Sequence, residues 1–133
     1  MPQVNIQVIG KAPTEVQKKA VFAEITDLMV DVLGRTRKLV VVTLSASPAS
    51  DWAAGGESPT GDRFVGAQAV IRIIAGVNSD EQKSRMIAET TAVLRKELGE
   101  PIFPLYVTFE EVPATAFGYD GRTIAEISAA RTA

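Results

Sequence analysis

The chain has 133 residues and contains neither Cys nor His. Cysteine nucleophiles, disulfides, histidine general bases and the common zinc sites are therefore excluded. Proton transfer is left to carboxylates, Lys, Arg, Tyr, Ser/Thr or the main-chain amine. The second residue is Pro2, and with Met1 removed its nitrogen is a secondary amine rather than an amide. A main-chain amine titrates near pH ~8 in model peptides. An apolar pocket or a neighbouring cation destabilises the ammonium and lowers that value further. A base poised near neutrality suits proton abstraction beside a carbonyl, and the pyrrolidine ring restricts the freedom of the nitrogen. On composition alone an ordinary proline is the favoured reading, since Pro is ~5% of residues anywhere. The carboxylates offer less: Glu110-Glu111 places one acid on each face of a strand end, so the two are not a paired general acid and base. Gly55-Gly56 is a turn signal, with no phosphate-loop glycine spacing after it.

The elements that must position these residues come in two copies. Slid against itself by 65 residues, the separation of Gln3 from Gln68, the sequence aligns without a gap. Ile6 meets Ile71, Ile9 meets Ile74, Gln17-Lys18 meets Gln82-Lys83, Leu33-Gly34 meets Leu98-Gly99 and Val42-Thr43 meets Val107-Thr108. Fixed-period similarity marks repeated structural units. Each unit reads strand, helix, strand. Val4, Ile6 and Val8 alternate with polar residues, the period of a half-buried strand. Gly10-Lys11-Ala12-Pro13 breaks that strand. Thr14 with Gln17, and Ser79 with Gln82, are capping-box patterns that open helices. Val16, Ala20, Val21, Ile25, Leu28, Met29 and Val32 recur at helical spacing, and Gly34 and Gly99 suit helix C-termini. The β-branched stretch Leu39-Val40-Val41-Val42-Thr43-Leu44 and its counterpart Leu105-Tyr106-Val107-Thr108-Phe109 close each unit as strands.

A strand–helix–strand unit has parallel strands and a right-handed crossover. The expected fold class is therefore α/β: two tandem β-α-β units forming a four-stranded sheet with two helices on one face. The whole of 1–133 is expected to be one domain, with repeat one at about 2–58, a linker at about 59–66 and repeat two at about 67–125, because neither half can bury its own core. A bare sheet face and exposed edges call for partners. Composition agrees with a globular class: 46% hydrophobic, 23% charged, 6% aromatic. Fourteen Lys+Arg against 16 Asp+Glu give a net charge of -2, so no basic excess points to nucleic acid. No apolar run approaches ~18 residues, and no signal peptide is evident, so the expectation is a cytoplasmic protein without membrane or nucleic-acid partners.

The order Pro2, strand, helix, strand, Pro48-Ala49, then Asp51-Trp52-Ala53-Ala54-Gly55-Gly56 resembles the tautomerase superfamily, whose members use an N-terminal proline in catalysis. The first half is similar to a 4-oxalocrotonate tautomerase subunit. The second half is more similar to macrophage migration inhibitory factor and the cis-3-chloroacrylic acid dehalogenase group, through Tyr106-Val107-Thr108-Phe109-Glu110-Glu111-Val112-Pro113-Ala114, Gly118-Tyr119 and Thr123. The resemblance implies a homotrimer of fused subunits and chemistry without metal or cofactor. It implies Pro2 as the catalytic residue, and one site per chain, because Ala67 stands at the equivalent position of the second half.

A 2-oxo acid or dienol substrate needs its carboxylate held and its developing enolate oxygen stabilised, which Arg does well. Arg35 matches a cationic position of the longer members, and Lys11 lies one residue from the substrate-binding Arg of the short ones. Arg37 and Lys38 are at the mouth of the following strand. Trp52 is expected to form an apolar wall and Tyr106 to donate a hydrogen bond to a substrate carbonyl. Each of these also has an ordinary reading as a solvated cation or a packed aromatic. The chain departs from the short members at Val41, where they carry Arg. It departs from the dehalogenase group at Ile74-Ala75-Gly76-Val77, where that group carries two Arg residues; Arg72 stands two residues earlier. The reading that follows is a cofactor-independent keto–enol tautomerase (isomerase) acting on a small 2-oxo acid or its enol. The alternatives are a hydratase or dehalogenase using protonated Pro2 as acid, and a non-catalytic interaction protein with a vestigial pocket.

Overall fold

The computed structural model describes residues 2–132. Met1, whose removal the chemistry of Pro2 requires, lies outside that range. The strands are β1 (Gln3–Gly10), β2 (Val41–Ser47), β3 (Phe64–Ile74), β4 (Tyr106–Val112), β5 (Gly118–Tyr119) and β6 (Arg122–Thr123); the helices are α1 (Glu15–Asp31), α2 (Asp80–Leu98) and α3 (Ile124–Thr132). The main sheet has the order β2-β1-β3-β4. β1 runs parallel to β2 and antiparallel to β3, and β3 runs parallel to β4. Gln3 pairs with Val41 in one unit and Gln68 with Tyr106 in the other. Both residues of the second pair lie at the same 65-residue offset from the first, so the two βαβ crossovers share one register.

Both helices begin where the capping pattern puts them. Thr14 Oγ1 accepts from the Gln17 amide at 3.2 Å, and Gln17 Oε1 accepts from the Thr14 amide at 2.8 Å. Ser79 and Gln82 repeat this at 3.1 and 2.9 Å. Each pair satisfies two free N–H groups of a first turn. Val21, Ile25 and Met29 of α1, and Met86, Thr90 and Leu94 of α2, are buried against Val4, Ile6 and Val8 of β1 and Ala67, Ala69, Ile71 and Ile73 of β3. The two helices thus cover one face of the sheet, and each large aliphatic there contributes roughly 1.5–3 kcal/mol by burial. Val16, grouped by spacing with that apolar stripe, is 79% exposed. At 3.6 residues per turn it lies about 140° around the helix from Val21, and its counterpart in α2 is Glu81. The opposite sheet face is polar: Gln7 Nε2 donates to Ser47 Oγ at 2.9 Å and Thr43 Oγ1 to Asn5 Oδ1 at 2.8 Å.

Some boundaries depart from the sequence pattern. Leu39, expected in the second strand, belongs to a 3₁₀ turn at Arg37–Leu39, and Val40 caps it, with Val40 N donating to Arg37 O at 3.1 Å. β4 runs on to Val112 because its ladder with β3 continues to Ile74, and Glu110 and Glu111 there meet cations on opposite faces, Arg72 and Lys83. β3 starts at Phe64, inside the stretch read as a linker. There Ile9 pairs with Gly66 and Gly10 with Phe64, which leaves Val65 as a bulge. Gly10 adopts φ +98°, and a Cβ at that position would lie 2.0 Å from the Arg63 carbonyl oxygen. The β5–β6 hairpin turns through Asp120 (φ 50°) and Gly121 (φ 85°), as a two-residue hairpin with left-handed central residues requires. α3 lies beyond the two strand–helix–strand units. Its signal is Thr123-Ile124-Ala125-Glu126, a capping box in which Thr123 Oγ1 accepts from the Glu126 amide at 3.0 Å and Glu126 Oε2 from the Thr123 amide at 3.1 Å.

Candidate active site

Pro2 is buried where β1 begins, and its carbonyl accepts from Val41 N at 3.3 Å. By strand alternation it falls on the helix-covered side with Val4, Ile6 and Val8. α1 runs back over β1, so the crossover returns the chain to this same end of the sheet before β2 starts. Residues 34–40 therefore lie at the Pro2 end, and they carry three cations. Gly34 supplies the left-handed turn (φ +69°) that ends α1. Arg35 then folds back, its Nε donating to the Leu33 carbonyl at 3.1 Å. Arg35 is half-buried and forms no ion pair among the described residues, so its terminal Nη groups carry no carboxylate. Arg37 is engaged by Asp27. Lys38 is exposed and unpaired among the described residues.

The remaining candidates lie elsewhere in the chain. Lys11 follows the far end of β1, where its amide donates to the Arg63 carbonyl at 3.0 Å. Trp52 packs on Ile9, Ala49 and Val65, with its ring edge-on to Phe103 at 5.2 Å and 74°. From Pro2 to Ile9 the strand covers about 23 Å at ~3.3 Å per residue. Tyr106, 61% exposed, opens the edge strand β4 on the uncovered face. The structure thus groups Pro2, Arg35 and Lys38 at one end and Lys11 and Trp52 at the other, with Tyr106 on the open face. A groove at the Lys11 end, lined by Val8, Lys11, Pro13, Gln17, Phe64 and Leu98, holds about 140 Å³. That is below the roughly 300–1,000 Å³ of small-molecule sites.

Arg72, the cation nearest to the dehalogenase-type positions, is on the uncovered face and fully engaged. Its Nε and Nη2 donate to Glu110 Oε2 at 2.9 and 2.7 Å, and its Nη1 to Gln3 Oε1 at 3.0 Å. Asn78 was not singled out from the sequence. Its Nδ2 donates to the Leu33 carbonyl at 3.0 Å, the same oxygen that receives Arg35 Nε. On the second unit Lys83 bridges Glu111 at 2.7 Å and Asp80 at 3.3 Å. The hydrogen bond to Glu111, then that to Asp80, raises its pKa above the ordinary lysine value. Among the described residues no group of three or more acidic side chains is placed to hold a metal ion. No described helix is long and apolar enough to cross a membrane.

Comparison with known proteins matches residues 2–61 to the family model described as tautomerase enzyme. A probable tautomerase K2 of Dickeya dadantii (strain 3937) is 40% identical over 60 residues, which are 45% of this chain and 90% of that protein. A probable tautomerase of Helicobacter pylori (strain ATCC 700392 / 26695) is 33% identical over 60 residues, 44% of this chain and 88% of that protein. Among solved structures, a native fused 4-OT superposes with a TM-score of 0.82 at 26% identity, covering 95% of this chain and 98% of that one. A wild-type fused 4-OT symmetric trimer gives 0.80 at 22% identity, covering 92% and 96%. A macrophage migration inhibitory factor-like protein from Entamoeba histolytica gives 0.72 at 20% identity, covering 92% and 97%.

Proposed function

Because this chain belongs to the tautomerase family, we propose that it is a cofactor-independent keto–enol tautomerase of a small 2-oxo acid or its enol, with the Pro2 amine as the base. The observation that carries this reading is the placement of Pro2, buried at the head of β1 at the sheet end where Arg35 keeps an uncommitted guanidinium edge. In the reaction the neutral amine takes the enol hydroxyl proton to leave an enolate, whose C=C gives way to C=O as carbon is protonated. The resulting ammonium returns that proton to carbon, so the product is an isomer. Burial disfavours the charged ammonium, the direction that suits a base working near neutral pH. The Nη1/Nη2 edge of Arg35 binds the substrate carboxylate in bidentate fashion, and charge that develops on the enolate oxygen needs a donor close by.

One chain does not bring Lys11, Trp52 or Tyr106 to Pro2. We infer that neighbouring copies supply them in a homotrimer, which joins the Pro2 end of one chain to the Lys11 and Trp52 end of the next. The trimeric state of similar fused 4-OT proteins supports this. A cytoplasmic setting fits the same reading. Dehalogenation is disfavoured because Ile74-Ala75-Gly76-Val77 carries no Arg and Arg72, the cation nearest to it in sequence, is engaged by Glu110 and Gln3.

The test combines the intact mass of the protein expressed from its native start with phenylenolpyruvate ketonisation on the same sample. A mass lower by one methionine with turnover that Pro2→Ala abolishes, the trimer remaining intact, is the expected result. Retained methionine makes the Pro2 nitrogen an amide and refutes the mechanism. A free proline without turnover leaves the fold to a non-catalytic interaction role.

A further inference from the structure

We propose that Asn78 is a positioning residue for Arg35, a step that rests on the tautomerase reading above. The Leu33 carbonyl receives two donors, Arg35 Nε at 3.1 Å and Asn78 Nδ2 at 3.0 Å. Asn78 Nδ2 also donates to Gln82 Oε1 at 3.1 Å, and that oxygen accepts the Ser79 amide at 2.9 Å in the capping box of α2. A continuous chain of hydrogen bonds therefore runs from the first turn of α2, through Gln82 and Asn78, to the carbonyl on which the guanidinium rests. Anchoring Nε leaves the Nη1/Nη2 edge free, the edge that takes a carboxylate in bidentate fashion. With Asn78 in place, the carbonyl that sets the plane of that edge is tied to the second repeat as well as to its own helix.

Two further observations separate this from ordinary packing. The first is asymmetry between the repeats. At the 65-residue offset Asn78 corresponds to Pro13, Arg35 to Glu100 and Pro2 to Ala67. Pro13 has no side-chain donor, and Glu100 pairs with Arg95. Helix to helix, that end is joined by Gln17 Nε2 donating to Glu97 O at 3.0 Å. The asparagine latch therefore occurs at the end that carries the proline and the arginine. The second observation is that Asn78 Oδ1 is buried without a hydrogen-bond partner among the described residues. Buried polar atoms are nearly always satisfied, so among the described residues Asn78 is held through its amide donors alone, which are the contacts to Leu33 and Gln82.

The test measures steady-state ketonisation of phenylenolpyruvate and of its methyl ester by wild type, Asn78→Ala, Asn78→Asp, Arg35→Ala and Arg35→Ala combined with Asn78→Ala. The expected result is a KM for phenylenolpyruvate raised about 10-fold in Asn78→Ala, with kcat within about twofold, because a loosened carboxylate clamp is lost binding common to ground and transition states. The ester KM is unchanged, and Asn78→Ala adds nothing once Arg35 is gone. Asn78→Asp keeps the side-chain shape without the amide donor and shows the same split, which covers a failure of the alanine variant to fold. Equal losses on acid and ester, or additivity with Arg35→Ala, would reduce Asn78 to a structural residue and overturn the proposal. A readout independent of turnover is solvent exchange of the Arg35 Nε proton by NMR. It accelerates at least about 10-fold in either Asn78 variant if the latch positions the guanidinium, and an unchanged rate overturns the proposal. Accelerated exchange in a protein without turnover supports the latch and refutes the tautomerase reading instead.

Discussion

Replacing Gly10 by Ala tests how the sheet delivers Lys11. Gly10 closes β1 at φ +98°, and an added Cβ would stand 2.0 Å from Arg63 O and 3.1 Å from both Val65 N and Val65 Cγ2. A residue with a Cβ in a left-handed conformation costs about 1–2 kcal/mol by itself. The overlap with a backbone oxygen cannot be relieved by a side-chain rotation, so the bulge must open. Opening it breaks the Lys11 N to Arg63 O bond of 3.0 Å, a loss of about 1 kcal/mol. It also loosens Val65 from the cluster with Ile9 and Ala49. The first two terms sum to about 2–3 kcal/mol before the loosened cluster is counted, a large part of the ~5–15 kcal/mol that holds a domain together. With the cluster included, the loss corresponds for a chain of this size to roughly 10–15 °C in Tm. Gly34→Ala is the internal control: φ is +69°, and nothing lies within 4 Å of the added Cβ. It should cost only the conformational ~1–2 kcal/mol. Urea and thermal unfolding followed by circular dichroism, at one fixed protein concentration because assembly shifts apparent stability, give the comparison. If the two variants lie within about 0.5 kcal/mol of each other, the steric argument at the bulge is wrong.

Other expectations follow from single contacts. Thr90 is fully buried in α2 and its hydroxyl has no hydrogen-bond partner among the described residues, so Thr90→Val keeps the shape, removes an unsatisfied group and raises stability by about 1 kcal/mol in urea unfolding. Arg37 is committed to Asp27 whereas Arg35 is not, so Arg37→Ala should leave kcat/KM for phenylenolpyruvate within about twofold while Arg35→Ala lowers it 10- to 100-fold. The Lys83 pKa is raised in the folded state, first by Glu111 and then by Asp80. Its contribution to stability is therefore fully present below the ordinary lysine value of about 10.4 and is lost as pH rises through the higher folded value. Glu111→Gln should be less stable than wild type at neutral pH, and the gap should shrink above about pH 10.5 in pH-resolved urea melts. A gap that holds constant to pH 12 would mean that Glu111 acts by something other than its charge on Lys83.

Much of this protein follows from local chemistry that the chain carries in order. The alternation of Val4, Ile6 and Val8, the two capping boxes and the 65-residue repeat specify strands, helices and a duplicated βαβ plan, because each depends on neighbours a few residues apart. The absence of Cys and His likewise removes cysteine nucleophiles and histidine bases and brings the main-chain amine of Pro2 forward as a neutral-pH base. Local pattern did not mark the bulge at Val65, which arises only when β1 and β3 are paired, or the 3₁₀ turn that takes Leu39 out of β2. It did not separate Arg37 from Arg35, since that difference is made by Asp27, ten positions away on another element. Asn78 is unremarkable in sequence and acquires its place only when the start of α2 is packed against the end of α1. The sequence by itself determined which residues could do the chemistry and which elements carry them. The tertiary structure decided that Pro2 and Arg35 share one end of the sheet while Lys11 and Trp52 occupy the other. That division is made by the parallel pairing of β1 with β2 and the return of α1 over the sheet, which set residues some forty positions apart side by side, beyond any short window of sequence.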